Sequence, residues 1–268
     1  PLALIEPWLP PNEGRPLRLR GALDVDAWLQ PRGHAWAGEV HLASPDGGLR
    51  IGDKARDEIV KYDQFSFDAT FDPAKIKARL GSGFKGDGYI DATVATGWEA
   101  SAPLQGEIYT NISRLVWLEL FSPDLVNPTG LVEGHVSLRG TRGTPSLGGE
   151  ATLSNFKGEL PALGLQLSQG KARLTARPDG SAEIVGSVQS GEGTLSVDGG
   201  LSWYGDATPL SLRFHGQNVL VSNTPELRAV AAPDLNFGLA RDTMELRGQV
   251  VVPSADIDLE RLDRGVSA

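Results

Sequence analysis

The chain has no cysteine and one methionine in 268 residues. Without thiols it can hold neither a disulfide framework nor a thiolate metal site. Long apolar runs are missing as well. No stretch approaches the ~18 consecutive apolar residues that a membrane-spanning helix requires. Basic charge is in deficit, with 25 Lys and Arg against 34 Asp and Glu. No basic stripe is left to neutralise phosphates, which argues against nucleic acid as a partner. The four histidines, His34, His41, His135 and His215, stand in separate runs without the HxH or HExxH spacing of a metal site. No serine sits in a GxSxG elbow, and no helix follows Gly191-Glu192-Gly193, so that segment is a turn rather than a phosphate cradle. Asp256, Asp258 and Glu260 alternate on one face near the chain end, but no opposing carboxylate group completes a glycosidase pair. The expectation is therefore no catalytic set, no metal, no cofactor and no enzyme activity. No apolar leader precedes Pro1, so the chain is expected to be a soluble excerpt of a longer protein.

What is abundant is glycine (33) and proline (18), roughly a fifth of the chain, spread between short alternating runs. The clearest stretch lies between Ser181 and Gly216. Ala182, Ile184, Gly186 and Val188 alternate with mostly polar residues, then Leu195, Val197, Gly199, Leu201 and Trp203 do the same. Leu210, Leu212 and Phe214 repeat the pattern against Ser211, Arg213 and His215. Successive strand side chains point to opposite faces, so a period of two means one apolar face and one wet face. Three such strands in so short a stretch predict an antiparallel meander.

The same alternation begins at Leu17 and returns at His34–Leu42, Phe65–Phe71, Ile90–Val94 and Leu104–Ile108. Pro1 to Pro16 reads as an extended lead-in. Asp46-Gly47-Gly48 is a turn signal, and Lys54–Lys61 reads as a loop. Pro73–Lys77 begins either a strand or a helical turn. Beyond Gly130, strands recur near Val132, Gly149, Leu163, Leu235 and Met244, with Ile257 and Leu259 last. Glycines 38, 186, 199, 216 and 248 fall in phase with the apolar face and predict points of curvature. One segment breaks the period. Asn111 to Phe121 has Ile112, Leu115, Val116 and Leu120 at helical spacing, with Trp117 beside them. Asn111 offers an N-cap there, and Ser122-Pro123 a stop.

The run NISRLVWLELFSPDL, Asn111 to Leu125, followed by GLVEG from Gly130, resembles a recurrent piece of the TamB family. The resemblance continues through GTRGTPSLGG (Gly140 to Gly149), LPALGL (Leu160 to Leu165), SGEG (Ser190 to Gly193), APDL (Ala232 to Leu235) and GQVVVPSADIDLERL (Gly248 to Leu262). These pieces are spread from Asn111 to Leu262, a span of somewhat over half the chain. Residues 111–268 form the TamB-like segment, and residues 1–110 follow as an N-terminal β segment of the same module. The resemblance implies a periplasmic protein of Gram-negative bacteria anchored in the inner membrane. It also implies an elongated, curved β-sheet folded over a hydrophobic groove, a β-taco. Phospholipid would be the cargo, moved towards the outer membrane, and an outer-membrane barrel protein would be a partner.

On that fold class, all-β with one short helix near 111–121, the residues expected to line the groove can be named. They are Leu195, Val197, Leu201, Trp203, Leu210, Leu212, Phe214, Leu235, Phe237, Leu239, Leu246 and Val250. The alternative is a chaperone-like module that receives β-strands of outer-membrane client proteins at the groove or at a sheet edge. A β-helical glycosidase using Asp256 or Asp258 is a third reading, and a membrane barrel is disfavoured because aromatic girdles are absent.

Overall fold

The computed structural model describes residues 17–51, 58–120, 122, 124–202, 210–240 and 243–258. Pro1–Pro16, Trp203, the turn at Gly205-Asp206, Phe121, Leu259 and Glu260 lie outside them. The chain divides into two compact units, one of residues 1–117 with 133–149, the other of residues 118–132 with 150–268.

The first unit holds β1 (Leu17–Gly21), β2 (Asp24–Arg32), β3 (Ala35–Ile51), β4 (Glu58–Phe71), β5 (Ile76–Gly83), β6 (Gly88–Thr96) and β7 (Gln105–Arg114). β8 (Val126–Gly140) and β9 (Pro145–Leu160) contribute residues to both units. The second unit continues with β10 (Leu165–Arg177), β11 (Ser181–Ser190), β12 (Gly193–Ser202) and β13 (Leu210–Gln217). β14 (Val219–Asn223), β15 (Leu227–Ala240) and β16 (Thr243–Ile257) complete it. Within the first unit the hydrogen-bonded order is β1-β3-β4-β5-β6-β7, with β2 beside β3. Within the second it is β10-β11-β12-β13-β15-β14, with β16 beside β15. Each of these pairings is antiparallel, as the meander reading expects.

Short polar turns make the hairpins. The Asp179 carboxylate accepts the backbone N–H of Ser181 at 3.0 Å and its hydroxyl at 2.6 Å, which closes the β10–β11 turn. Asp72 does the same between β4 and β5, accepting from the N–H groups of Ala74 (2.8 Å) and Lys75 (2.7 Å). Pro73–Lys77 therefore leads straight into a strand and starts no helix. Two other turn readings also give way. β3 runs unbroken through Asp46-Gly47-Gly48, because those residues pair with Asp63, Tyr62 and Lys61 on β4. The same pairing makes Glu58–Lys61 strand, not loop.

The short helix expected between 111 and 121 is present but narrower, a 3₁₀ turn over Val116–Leu120. Asn111 is no N-cap. It pairs with Tyr89 on β6, and its side-chain amide donates to Glu133 at 3.2 Å. The alternation Gly106, Ile108, Thr110, Ile112 keeps β7 extended to Arg114, so the period of two wins over the apparent helical spacing. Leu115, directly after the strand, is fully buried (0% exposed).

The second unit closes at one end of its strands. After β13 the chain turns at Asn218, which adopts φ +54°, and β14 pairs with Val230, Ala231, Arg228 and Ala229 of β15. The Ser190 hydroxyl, at the β11–β12 turn, donates to the Leu220 carbonyl at 2.6 Å, tying β14 to that turn. Val219, Ala229 and Ala231 are buried there.

Two substitutions test this packing. Leu115→Ala removes a fully enclosed side chain and should cost about 2–5 kcal/mol, read as a fall in Tm or in the denaturation midpoint. Gly149 adopts φ +119°, and a Cβ there would lie 2.2 Å from the His135 carbonyl oxygen. Gly149→Ala should therefore destabilise by about 2 kcal/mol or more, and a variant melting with the parent would contradict that backbone geometry.

Candidate functional site

Antiparallel register places the expected lining residues in lateral rows. Leu174, Ile184, Gly199, Leu212, Phe237 and Leu246 stand opposite one another in turn across β10, β11, β12, β13, β15 and β16. A neighbouring row runs Ala172, Gly186, Val197, Phe214, Leu235 and Gly248. A third runs Ala176, Ala182, Leu201, Leu210, Leu239 and Met244. Leu195 lies beside Gly216 on the same face, and Val250 beside Pro233. Eleven of the twelve expected residues thus share one face. The twelfth, Trp203, lies outside the described residues.

These rows are not a sealed core. Leu195, Val197, Leu212, Phe214, Leu235 and Phe237 are all half-buried. Leu246 (62%) and Val250 (50%) are exposed on the outermost strand. Soluble proteins rarely leave contiguous apolar area open unless it receives something. The first unit repeats the arrangement. One row there runs Val25, Leu42, Phe67, Leu80, Ala92 and Ile108, and another runs Ala27, Val40, Ala69, Ala78, Val94 and Gly106. Sequence reading found these strands but did not place their residues in a site, because only the register aligns them.

The alternate residues form a wet face laced by cross-strand ion pairs. In the second unit Arg213 clamps Asp234 through Nε (2.9 Å) and Nη2 (3.0 Å), and His215 lies 3.3 Å from Asp198. The Arg213 guanidinium holds the Asp234 carboxyl below its usual range. In the first unit His41 Nδ1 bonds Asp68 at 2.7 Å, and Arg79 donates to Asp91 at 2.8 Å. Glu107 takes Arg139 and, at 2.9 Å, His135, whose ring stacks on Tyr109 at 4.3 Å. An open hollow of about 650 Å³ is lined by Thr70, Lys77, Arg79, Gln105, Glu107 and Arg139 together with Ala78 and Val94. Among the described residues no three His, Asp or Glu converge on a metal site. Asp256 pairs across the ladder with Arg228.

Of the residues read as helical, Ile112 lies on β7 and Leu115 is core, while Val116 and Trp117 sit in the 3₁₀ turn. The Leu120 side chain lies outside the described residues.

Two family models match the chain. A TamB N-terminal domain matches residues 1–153, and a TamB C-terminal domain matches residues 184–268. The chain belongs to the TamB family. The N-terminal match takes in residues 1–110, which lie outside the motifs that carry the resemblance. TamB proteins belong to a membrane-associated periplasmic translocation and assembly module that works with an outer-membrane partner, a transport and assembly family rather than an enzyme family. No curated protein and no solved structure matches the chain significantly. No helix among the described residues is long and apolar enough to cross a membrane.

The wet face supplies a pH test of the register. Hydrogen bonding to Asp68, and then to Glu39, holds the His41 imidazolium above its usual 6.5. The stability gained from that pair is therefore complete below pH 6.5 and is lost as pH rises through the elevated value. NMR titration should find His41 above 6.5 in the parent and lower in Asp68→Asn. An unchanged value would remove the β3–β4 pair from the account.

Proposed function

We propose that this TamB chain conducts phospholipid through the periplasm, acyl chains lying against the apolar rows and head groups kept near water. What carries the reading is the set of registered, half-open apolar rows across β10 to β16. Burial of a methylene yields ~0.8 kcal/mol without directional demand. Many such contacts hold a chain while leaving it free to slide. The polar alternates, locked in ion pairs, keep the opposite face in water. An inner-membrane anchor elsewhere in the protein and delivery towards the outer membrane belong to the same proposal.

A second reading has its own observation. β16 pairs only with β15 among the described residues, and its 15 residues are exposed throughout. A free strand edge accepts another strand by backbone hydrogen bonding, which suits an unfolded outer-membrane client.

One position pair separates the two. Leu212 lies on the apolar face and Arg213 on the wet face, clamped to Asp234. A photo-crosslinking residue at Leu212 should capture lipid in cells, and one at Arg213 should not. Capture of protein at Leu212 would favour strand binding. Leu212→Arg, in a variant shown to keep parental circular dichroism and solubility, should abolish support of outer-membrane integrity, because a charge in an apolar channel is costly to desolvate. Full function in that folded variant, with no lipid captured at Leu212, would overturn the conduit.

A further inference from the structure

The second unit holds a hollow of about 800 Å³ whose polar side chains are unanswered. Asn127 and Thr129 of β8, Lys157 and Glu159 of β9, and Gln166 and Ser168 of β10 line it. Each pair is made of alternate residues on one strand, and alternates share a face. Ser168 stands opposite Gln189 of β11, which puts the β10 pair on the wet face. Asn223, the last residue of β14, completes the polar ring, with Leu167 and Leu220 beside it.

Two observations set this hollow apart. Elsewhere on the wet face, charged side chains such as Arg213 and Asp234 bond one another across strands. Around the hollow, none of these polar side chains has a hydrogen-bond or ion-pair partner among the described residues. Each of the three strands also carries one non-glycine residue at positive φ close by: Asn127 (+51°), Asn155 (+53°) and Gln169 (+51°). The β10–β11 register shifts there, between Ser168 and Lys171. A Cβ on Gly170 would lie 2.7 Å from the Phe156 side chain, so the irregularities of β9 and β10 are neighbours. Left-handed backbone is costly away from glycine. Bulges of this kind re-aim side chains and recur beside binding sites.

The chemistry of the ring selects the ligand. The amides of Asn127, Gln166 and Asn223 and the hydroxyls of Thr129 and Ser168 each donate and accept. Lys157 and Glu159 cancel in charge, so the ring calls for neither an anion nor a cation. β9 lies between β8 and β10, and β10 between β9 and β11, so an incoming strand finds no free backbone edge. A neutral ligand rich in hydroxyls can answer donors and acceptors together. Sugars are that class.

We propose that this hollow binds a neutral oligosaccharide through side-chain hydrogen bonds on the wet face. The site is separate from the apolar rows and needs no lipid.

The test titrates the whole 268-residue chain with maltohexaose, cellohexaose and chitohexaose in turn, and with a Gly-Ser hexapeptide. Side-chain amide NMR signals of Asn127, Gln166 and Asn223 report binding. At least one hexasaccharide should shift all three, with a Kd of about 1 mM, the scale of a few neutral hydrogen bonds. Gln166→Ala and Glu159→Gln are first matched to the parent in Tm. Gln166→Ala should then weaken the sugar about fivefold. Glu159→Gln should keep it, because the new amide still accepts. No shift with any of the three sugars at about 10 mM, ten times that Kd, overturns the site. An equal shift with the peptide, or binding lost in Glu159→Gln, overturns it as well.

Discussion

A β-strand has two faces, and in each unit of this chain only one of them is suited to water. That constraint organises the rest. Register forces the apolar alternates of successive strands into rows such as Ile184, Gly199, Leu212, Phe237 and Leu246, and the polar alternates into the opposite face. Most residues of those rows remain half-buried; the alanines Ala69, Ala176 and Ala182 within them are buried, as are Leu115 and the β14 end of the second unit. The apolar rows are therefore paired but not covered.

The wet face contributes order rather than much energy. Its pairs, Arg213–Asp234 and His41–Asp68 among them, are solvent-exposed, and exposed pairs contribute little each. They do penalise slippage. A one-residue shift would turn Arg213 into the apolar rows and Leu212 out of them. Glycines serve the same geometry from within. Gly248, at φ +145°, meets the Asp234 carbonyl so closely that a Cβ would lie 2.1 Å from it. A side chain there would push β15 and β16 apart.

Much of this was readable from alternation alone. The strands at Ser181–Ser190, Gly193–Ser202 and Leu210–Gln217, and the shared face of Leu195 to Val250, all follow from a period of two. Alternation failed where local composition imitated another signal. Asp46-Gly47-Gly48 has turn chemistry, yet long-range pairing to β4 keeps it extended. Asn111–Arg114 carries helix-like spacing, yet hydrogen bonds to β6 hold it in β7. An apolar pocket of the first unit was hidden for another reason. Val60, Ile90, Ile112 and Trp117 lie on three strands and a 3₁₀ turn, and only the fold brings them together.

The central claim is that the uncovered apolar rows are occupied by acyl chains. It is tested most directly by native mass spectrometry of the chain purified from Gram-negative cells without added detergent, followed by organic extraction. The account predicts adducts of phospholipid mass that the extract recovers as intact diacyl species. A lipid-free protein with its apolar rows still protected from exchange, or adducts that prove to be peptide, would contradict it.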